Sequence, residues 1–184
     1  MKPVIAMMVV GHRDYQNHVG EFMAEQSAEQ LTGVKVRLFR DTATDPEEAR
    51  RIARSLLREY PDGVILYVGT WIEAPTAWAA IQEFRHLPFA IWGFPMVDGP
   101  AGRDSTGSLV GLIVLKAALD RVGQAYEWLL GLPNHSSTSR QAIAFARAAA
   151  AVARLRRTRL GLIGYASMGM YSGTVDHLLL RDHI

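Results

Sequence analysis

The sequence predicts an α/β fold built on a parallel sheet, and three observations lead there. Apolar runs of strand length alternate with amphipathic stretches of helix length along the whole chain. The first run, residues 4–10, is apolar throughout, as a strand covered on both faces must be. The connections are short, which suits parallel strands joined by right-handed crossovers.

Each element has its own signal. After the strand 4–10 comes a helix over 18–31, closed by Thr32-Gly33 with glycine at the left-handed position. In 34–39, Lys35 and Arg37 alternate with apolar residues, a pattern for a strand nearer the sheet edge. Asp45-Pro46-Glu47-Glu48 marks a helix start. Asp45 can accept from the first-turn amides, Pro46 fits the first helical position, and both glutamates meet the positive end of the dipole. That helix runs to about residue 60, and Pro61-Asp62-Gly63 turns the chain into a strand over 64–68.

A helix over 76–85 ends near His86, and Pro88 opens the strand 89–92. A long loop follows through 93–107, in which Ser105-Thr106 are placed to cap a helix over 106–122. Residues 125–130 form a weaker strand, and the alanine-rich 137–155 a helix with Ser137 as N-cap. A strand over 159–163 and a helix over 171–182 end the sequence.

Five strands by residue 130 match a flavodoxin-like, doubly wound parallel sheet. A first domain is expected over 1–156, and over 157–184 the first βα unit of a second α/β domain. No further strand follows that unit, so the chain reads as the front part of something larger, a truncated relative, or a piece that borrows partners. Its apolar helix face on Leu178, Leu179 and Ile184 would then be covered by the first domain or by self-association.

Composition narrows the function classes. Apolar residues at 49% supply a core, and the absence of cysteine removes disulfides and thiolate metal or redox sites. It also fits a reducing, cytoplasmic setting. With 20 Lys+Arg against 18 Asp+Glu the net charge is only +2. The dense basic cluster, Arg154, Arg156, Arg157 and Arg159, sits where a helix should end and complements its dipole. No broad basic stripe with stacking aromatics is visible, so no nucleic-acid partner is expected. No apolar run reaches the roughly 18 to 20 residues of a membrane span, and no membrane partner is expected either.

Ligands of such sheets bind outside the carboxyl ends of the strands. After the first strand comes Gly11-His12-Arg13-Asp14-Tyr15, after the third Gly69-Thr70-Trp71-Ile72-Glu73, and after the fourth Gly93-Phe94 and the loop to Gly107. His12, Arg13 and Asp14 offer a base, a fork-shaped cation and a carboxylate within one turn; alternatively they are an exposed turn whose charges pair with each other. Trp71, outside any periodic apolar face, can stack on a sugar ring and donate through its indole N–H, or pack at a subunit interface. The 99–107 loop resembles a phosphate cradle only loosely, since it lacks the phosphate-loop lysine and no G-x-G-x-x-G follows the first strand; flavin or nucleotide binding stands as a third reading with weak support. The six histidines show no metal-ligand spacing. Residue chemistry alone gives binding loops and no complete catalytic apparatus.

Three segments together resemble the N-terminal part of the L-fucose isomerase and L-arabinose isomerase family. They are Ala90-Ile-Trp-Gly-Phe94, Phe145-Ala-Arg-Ala-Ala149 and Ser167-Met-Gly-Met-Tyr-Ser-Gly-Thr-Val-Asp-His177. The Trp71 loop also falls where that family carries a tryptophan. The resemblance implies an aldose–ketose isomerase, an intramolecular oxidoreductase that moves a proton between adjacent carbons with a divalent metal, usually Mn2+. It implies a homo-oligomer, a hexamer in the family, with a small sugar substrate at a subunit interface. The first domain there serves assembly and acts as a lid over the neighbour's site, while the metal ligands come later in the family's chain. By that resemblance Trp71, Arg13 and His12 face substrate, this chain contributes no catalytic or metal residue and binds no cofactor of its own, and it is inactive alone. The alternative reading is a non-catalytic sugar-binding or regulatory α/β module.

Overall fold

Strand alternation decides which face each side chain joins. In β1 (Val4–Val10), Ala6, Met8 and Val10 enter one hydrophobic cluster and Ile5, Met7 and Val9 the other, and all six are fully buried. A strand buried on both faces must be flanked by helices on both sides. A computed structural model, which describes residues 2–99, 102–159 and 176–183, has this arrangement.

The chain runs from β1 through α1 (Asn17–Glu29), β2 (Lys35–Ala43), α2 (Pro46–Leu57), β3 (Gly63–Val68), α3 (Ala74–Phe84) and β4 (Phe89–Gly93). It continues through a hairpin of β5 (Val97–Gly99) and β6 (Gly102–Asp104), then α4 (Ser108–Arg121), β7 (Glu127–Leu130), α5 (Ser136–Arg157) and α6 (His177–His183). The main sheet has the order β2-β1-β3-β4-β7, and every pairing in it is parallel. Counted within that sheet alone the order is 2-1-3-4-5, the flavodoxin-like arrangement. Helices α2, α3 and α4 cover one face through Ile52, Leu56, Ile81, Phe84, Leu112 and Leu115. Helices α1 and α5 cover the other through Ala24, Ala142, Ala146 and Ala149.

Local chemistry explains the boundaries. Asp45 caps α2, its Oδ1 accepting from the N–H groups of Glu47 and Glu48 at 2.9 Å each, with Pro46 in the first turn. Asp62 fixes the entry to β3: its N–H donates to the Val4 carbonyl at 2.7 Å, and its Oδ2 accepts from the Val4 N–H at 2.9 Å. Its Oδ1 accepts from Arg157 Nη2 at 2.9 Å, and Arg156 donates to the His86 carbonyl at 2.8 Å. The basic cluster therefore docks the end of α5 on the amino edge of the sheet.

Several expectations are corrected. The long loop expected through 93–107 contains the antiparallel β5–β6 hairpin, whose strands are three residues each. Ser105 and Thr106 do accept from the N–H groups of Gly107 and Ser108, at 3.2 and 3.3 Å, but the N-cap of α4 is Gly107. Ser137 is not the cap of α5, which starts one residue earlier with His135 as N-cap and no side-chain cap bond. The second strand runs on to Ala43 because Gly11 donates across to the Ala43 carbonyl at 3.0 Å. The strand expected over 159–163 lies, apart from Arg159, outside the described residues, as do Ile184 and the Gly-rich turn. In α6, Leu178 and Leu179 are exposed.

Candidate functional site

In this sheet order the chain leaves β1 toward one face, through α1, and leaves β3 toward the other, through α3. The two loops stand side by side at the carboxyl edge of β1 and β3, the switch point at which ligands of open α/β sheets bind. Both sequence-predicted binding turns follow these strands.

Their backbones are stitched together first. The His12 N–H donates to Thr70 Oγ1 at 3.0 Å, and Asn17 Nδ2 donates to the His12 carbonyl at 3.0 Å. The fully buried Thr70 hydroxyl lies 3.0 Å from the Trp71 carbonyl and 3.3 Å from Asn17 Oδ1, its two available acceptors. This approach depends on two glycines. A Cβ on Gly20 would meet the Gly69 Cα at 2.6 Å, so only paired glycines let α1 lie against the end of β3. From the other side the Trp71 N–H donates to the Thr106 carbonyl at 2.9 Å. Ser108 Oγ donates to the Val68 carbonyl and accepts from the Phe94 N–H at 3.0 Å. The ends of β1, β3 and β4 are thus held as one rigid rim.

On that rim three rings gather. The His12 ring stands edge-on to Trp71 with centroids 5.2 Å apart, and edge-on to Tyr15 at 5.7 Å. Tyr15 and Trp71 are stacked at 6.0 Å with 24° between their planes. Two carboxylates flank the imidazole, Asp14 Oδ2 at 3.7 Å from Nδ1 and Glu73 Oε1 at 3.7 Å from Nε2. The Asp14 N–H donates to Nδ1 at 3.3 Å, which assigns the proton of the neutral ring to Nε2, the nitrogen facing Glu73. His12 and Trp71 are half-buried, while Tyr15, Asp14 and Glu73 are exposed. Such a surface offers apolar ring area beside carboxylate acceptors and the ring N–H groups of His12 and Trp71.

The structure therefore brings two of the three predicted site residues together. Arg13 is exposed and makes no hydrogen bond or ion pair among the described residues; the pairing within the turn is between His12 and Asp14. Sequence reasoning missed Tyr15, Asn17 and Thr70 as members of the site. Position 70 pairs with position 12 across 58 residues, a relationship that spacing does not reveal. Surface hollows lie elsewhere, one on the outer side of α2 around Arg50, Arg54 and Arg58, another of about 390 Å3 bordered by Leu57, Tyr60, His86 and Arg157. Neither is lined by a residue of the ring cluster. Among the described residues no group of three or more His, Asp or Glu could hold a metal ion. No helix among them is long and apolar enough to cross a membrane.

No protein-family model matches the chain, and no curated protein matches it. Among solved structures it is similar to the ribose 5-phosphate isomerase RpiB of Thermotoga maritima. That match has 14% identity and a TM-score of 0.34, over 77% of this chain and 83% of that one. The resemblance to the L-fucose and L-arabinose isomerase family is corrected: no family model and no curated protein, of that family or another, matches the chain. Two of the motifs behind that resemblance have a structural cause. Residues 90–94 are the buried strand β4 and its exit, and 145–149 carry the small-residue face on which α5 packs. The third motif, at 167–177, lies almost wholly outside the described residues.

Proposed function

We propose that the chain is a binding module for a small polyhydroxylated ligand of sugar size, held at the carboxyl edge between the β1–α1 and β3–α3 loops. The carrying observation is the ring cluster of His12, Tyr15 and Trp71 with a carboxylate beside each imidazole nitrogen. Sugars present apolar C–H faces that pack on aromatic rings, and hydroxyls that donate to carboxylates or accept from an N–H. Arg13, unpaired at the same turn, is available to a further ligand oxygen. A second reading, aldose–ketose isomerisation at the same rim, is favoured by the Glu73–Nε2 contact. A carboxylate there could take a proton from the carbon beside a carbonyl and return it to the neighbouring carbon.

The test is calorimetric titration with a panel of free aldopentoses and aldohexoses, followed by saturation-transfer NMR on any binder. Binding that disappears in Trp71→Ala supports the module. No binding by any member of the panel at millimolar concentrations removes it. Ketose formation by the wild type, lost in Glu73→Gln while binding persists, would favour the catalytic reading instead.

A further inference from the structure

Helix α4 is apolar on the side that nothing in the described structure covers. Its inner side is formed by Ser108, Gly111, Leu112, Leu115 and Leu119, all buried against the sheet. Directly opposite, at the helical spacing i, i+3, i+4, i+7, stand Val110, Ile113, Val114 and Ala117, all exposed. A surface helix normally turns charge to water on that side; a helix apolar all round is a buried one. Of its charged residues, Lys116 and Asp120 lie on the flank and pair with each other at 2.7 Å, and the exposed Arg121 ends the apolar stripe in the last turn.

Further exposed apolar residues stand on the sheet edge. Strand β7 is the last of the main sheet, with no partner beyond it among the described residues. Leu129 is buried on the α5 side, so by the pleat Trp128 and Leu130 stand on the α4 side, where both are exposed. Tyr126, two residues before Trp128, joins the same face to α4 through its hydroxyl, which donates to the Asp120 carboxylate. Val110, Ile113, Val114, Trp128 and Leu130 expose 53, 56, 42, 46 and 39% of themselves. Together they expose on the order of 400–500 Å2, within the ~300–600 Å2 of the largest patch on a typical monomer and a little over half of the ~800 Å2 that one partner gives to a stable interface.

We infer that this face is covered by a second copy of the chain, α4 against α4 about a two-fold axis, with β7 at the margin. The area matches what each half of a symmetric interface supplies, its polar rim completing the rest. Such an interface is self-complementary: the same patch serves both subunits, and the small Ala117 lets the two helices approach closely. This inference stands apart from the ligand site, which lies at the end of β1 and β3.

Sedimentation equilibrium of the full chain from 1 to 300 μM tests it. The expected result is a monomer–dimer equilibrium that Ile113→Glu and, separately, Val114→Glu shift to monomer, with wild-type circular dichroism retained. Because the chain has no cysteine, Ala117→Cys gives an independent readout that needs no disruptive charge: rapid oxidative cross-linking to a covalent dimer, absent in the double variant carrying Ile113→Glu. A wild type that stays monomeric at every concentration leaves the face to residues 160–175 or to another protein and overturns the inference. So does a dimer that survives both glutamates or fails to cross-link through position 117.

Discussion

Gly107 stands directly behind Trp71: a Cβ built on it would lie 2.7 Å from the Trp71 Cβ and 3.0 Å from its backbone nitrogen. The same residue is the N-cap of α4 and has φ of +81°, a conformation that only glycine takes at low cost. The helix that closes the site thus reaches the tryptophan through a position where no side chain fits. Gly107→Ala should cost about 1–3 kcal/mol from the backbone conformation alone, with the clash added, and should displace Trp71. Thermal unfolding reads the first effect. A changed indole N–H shift of Trp71 in a two-dimensional NMR spectrum reads the second; an unchanged shift would show that the rim absorbs the clash elsewhere.

Trp71→Ala tests the ring cluster without touching the core. Trp71 is half-buried, and its structural bonds are made by its backbone, the N–H to Thr106 and the carbonyl near Thr70. The substitution keeps those bonds, so folding should persist with a modest loss of stability. Ligand affinity should fall on the order of 10- to 100-fold, as for a central aromatic anchor. Titration calorimetry beside a chemical melt separates the two. Loss of assembly with unchanged ligand affinity would make Trp71 an interface residue.

Asp62 and Arg157 should prove unequal partners. Asp62 accepts from the Val4 N–H as well as from Arg157, so Asp62→Ala strands a partly buried backbone donor at the first residue of β1. The expected cost is about 1–3 kcal/mol. Arg157 is mostly exposed, and an ion pair of that kind contributes about 0–1 kcal/mol. A double-mutant cycle by urea unfolding should therefore return a coupling below about 1 kcal/mol, with the Asp62 variant far the weaker protein. Equal losses would mean that the pair, not the backbone contact, holds the strand.

The parallel architecture was legible because each signal was local. The fully apolar 4–10 run and the Asp45-Pro46-Glu47-Glu48 start both fold as their chemistry dictates. The β5–β6 hairpin escaped because its strands are only three residues long, too short to show alternation. At the site, turns after the right strands could be named, and His12 and Trp71 with them. Their convergence with Tyr15, Asn17 and Thr70 comes from sheet order and from the Gly20–Gly69 contact, which join residues about fifty positions apart. The family resemblance failed for the complementary reason: alanine, glycine and aromatic residues at 90–94 and 145–149 satisfy packing that the fold itself imposes.

Alkaline unfolding should expose Tyr67, the one tyrosine sealed in the core among the described residues. Tyr67 lies wholly buried beside Trp92 and Phe94, with ring centroids 5.6 and 5.9 Å away, and shares a 3.2 Å hydrogen bond with Ser27. Burial pushes its hydroxyl well above the usual tyrosine range, the Ser27 bond opposing this only in part. Below about pH 10 both folded and unfolded chains hold the phenol proton, and its contribution is fully present. Above that, the unfolded chain releases the proton while the folded chain keeps it, so the unfolded state binds fewer protons and stability falls as pH rises. The slope from this group approaches about 1.4 kcal/mol per pH unit until the folded-state value is reached. Tyr67→Phe should cost about 1 kcal/mol at pH 7, through the lost bond to Ser27, yet decline less steeply between pH 10 and 11. Urea unfolding of both proteins across that range checks it: parallel curves would mean that Tyr67 ionises freely in the folded state and that water reaches the centre of the sheet.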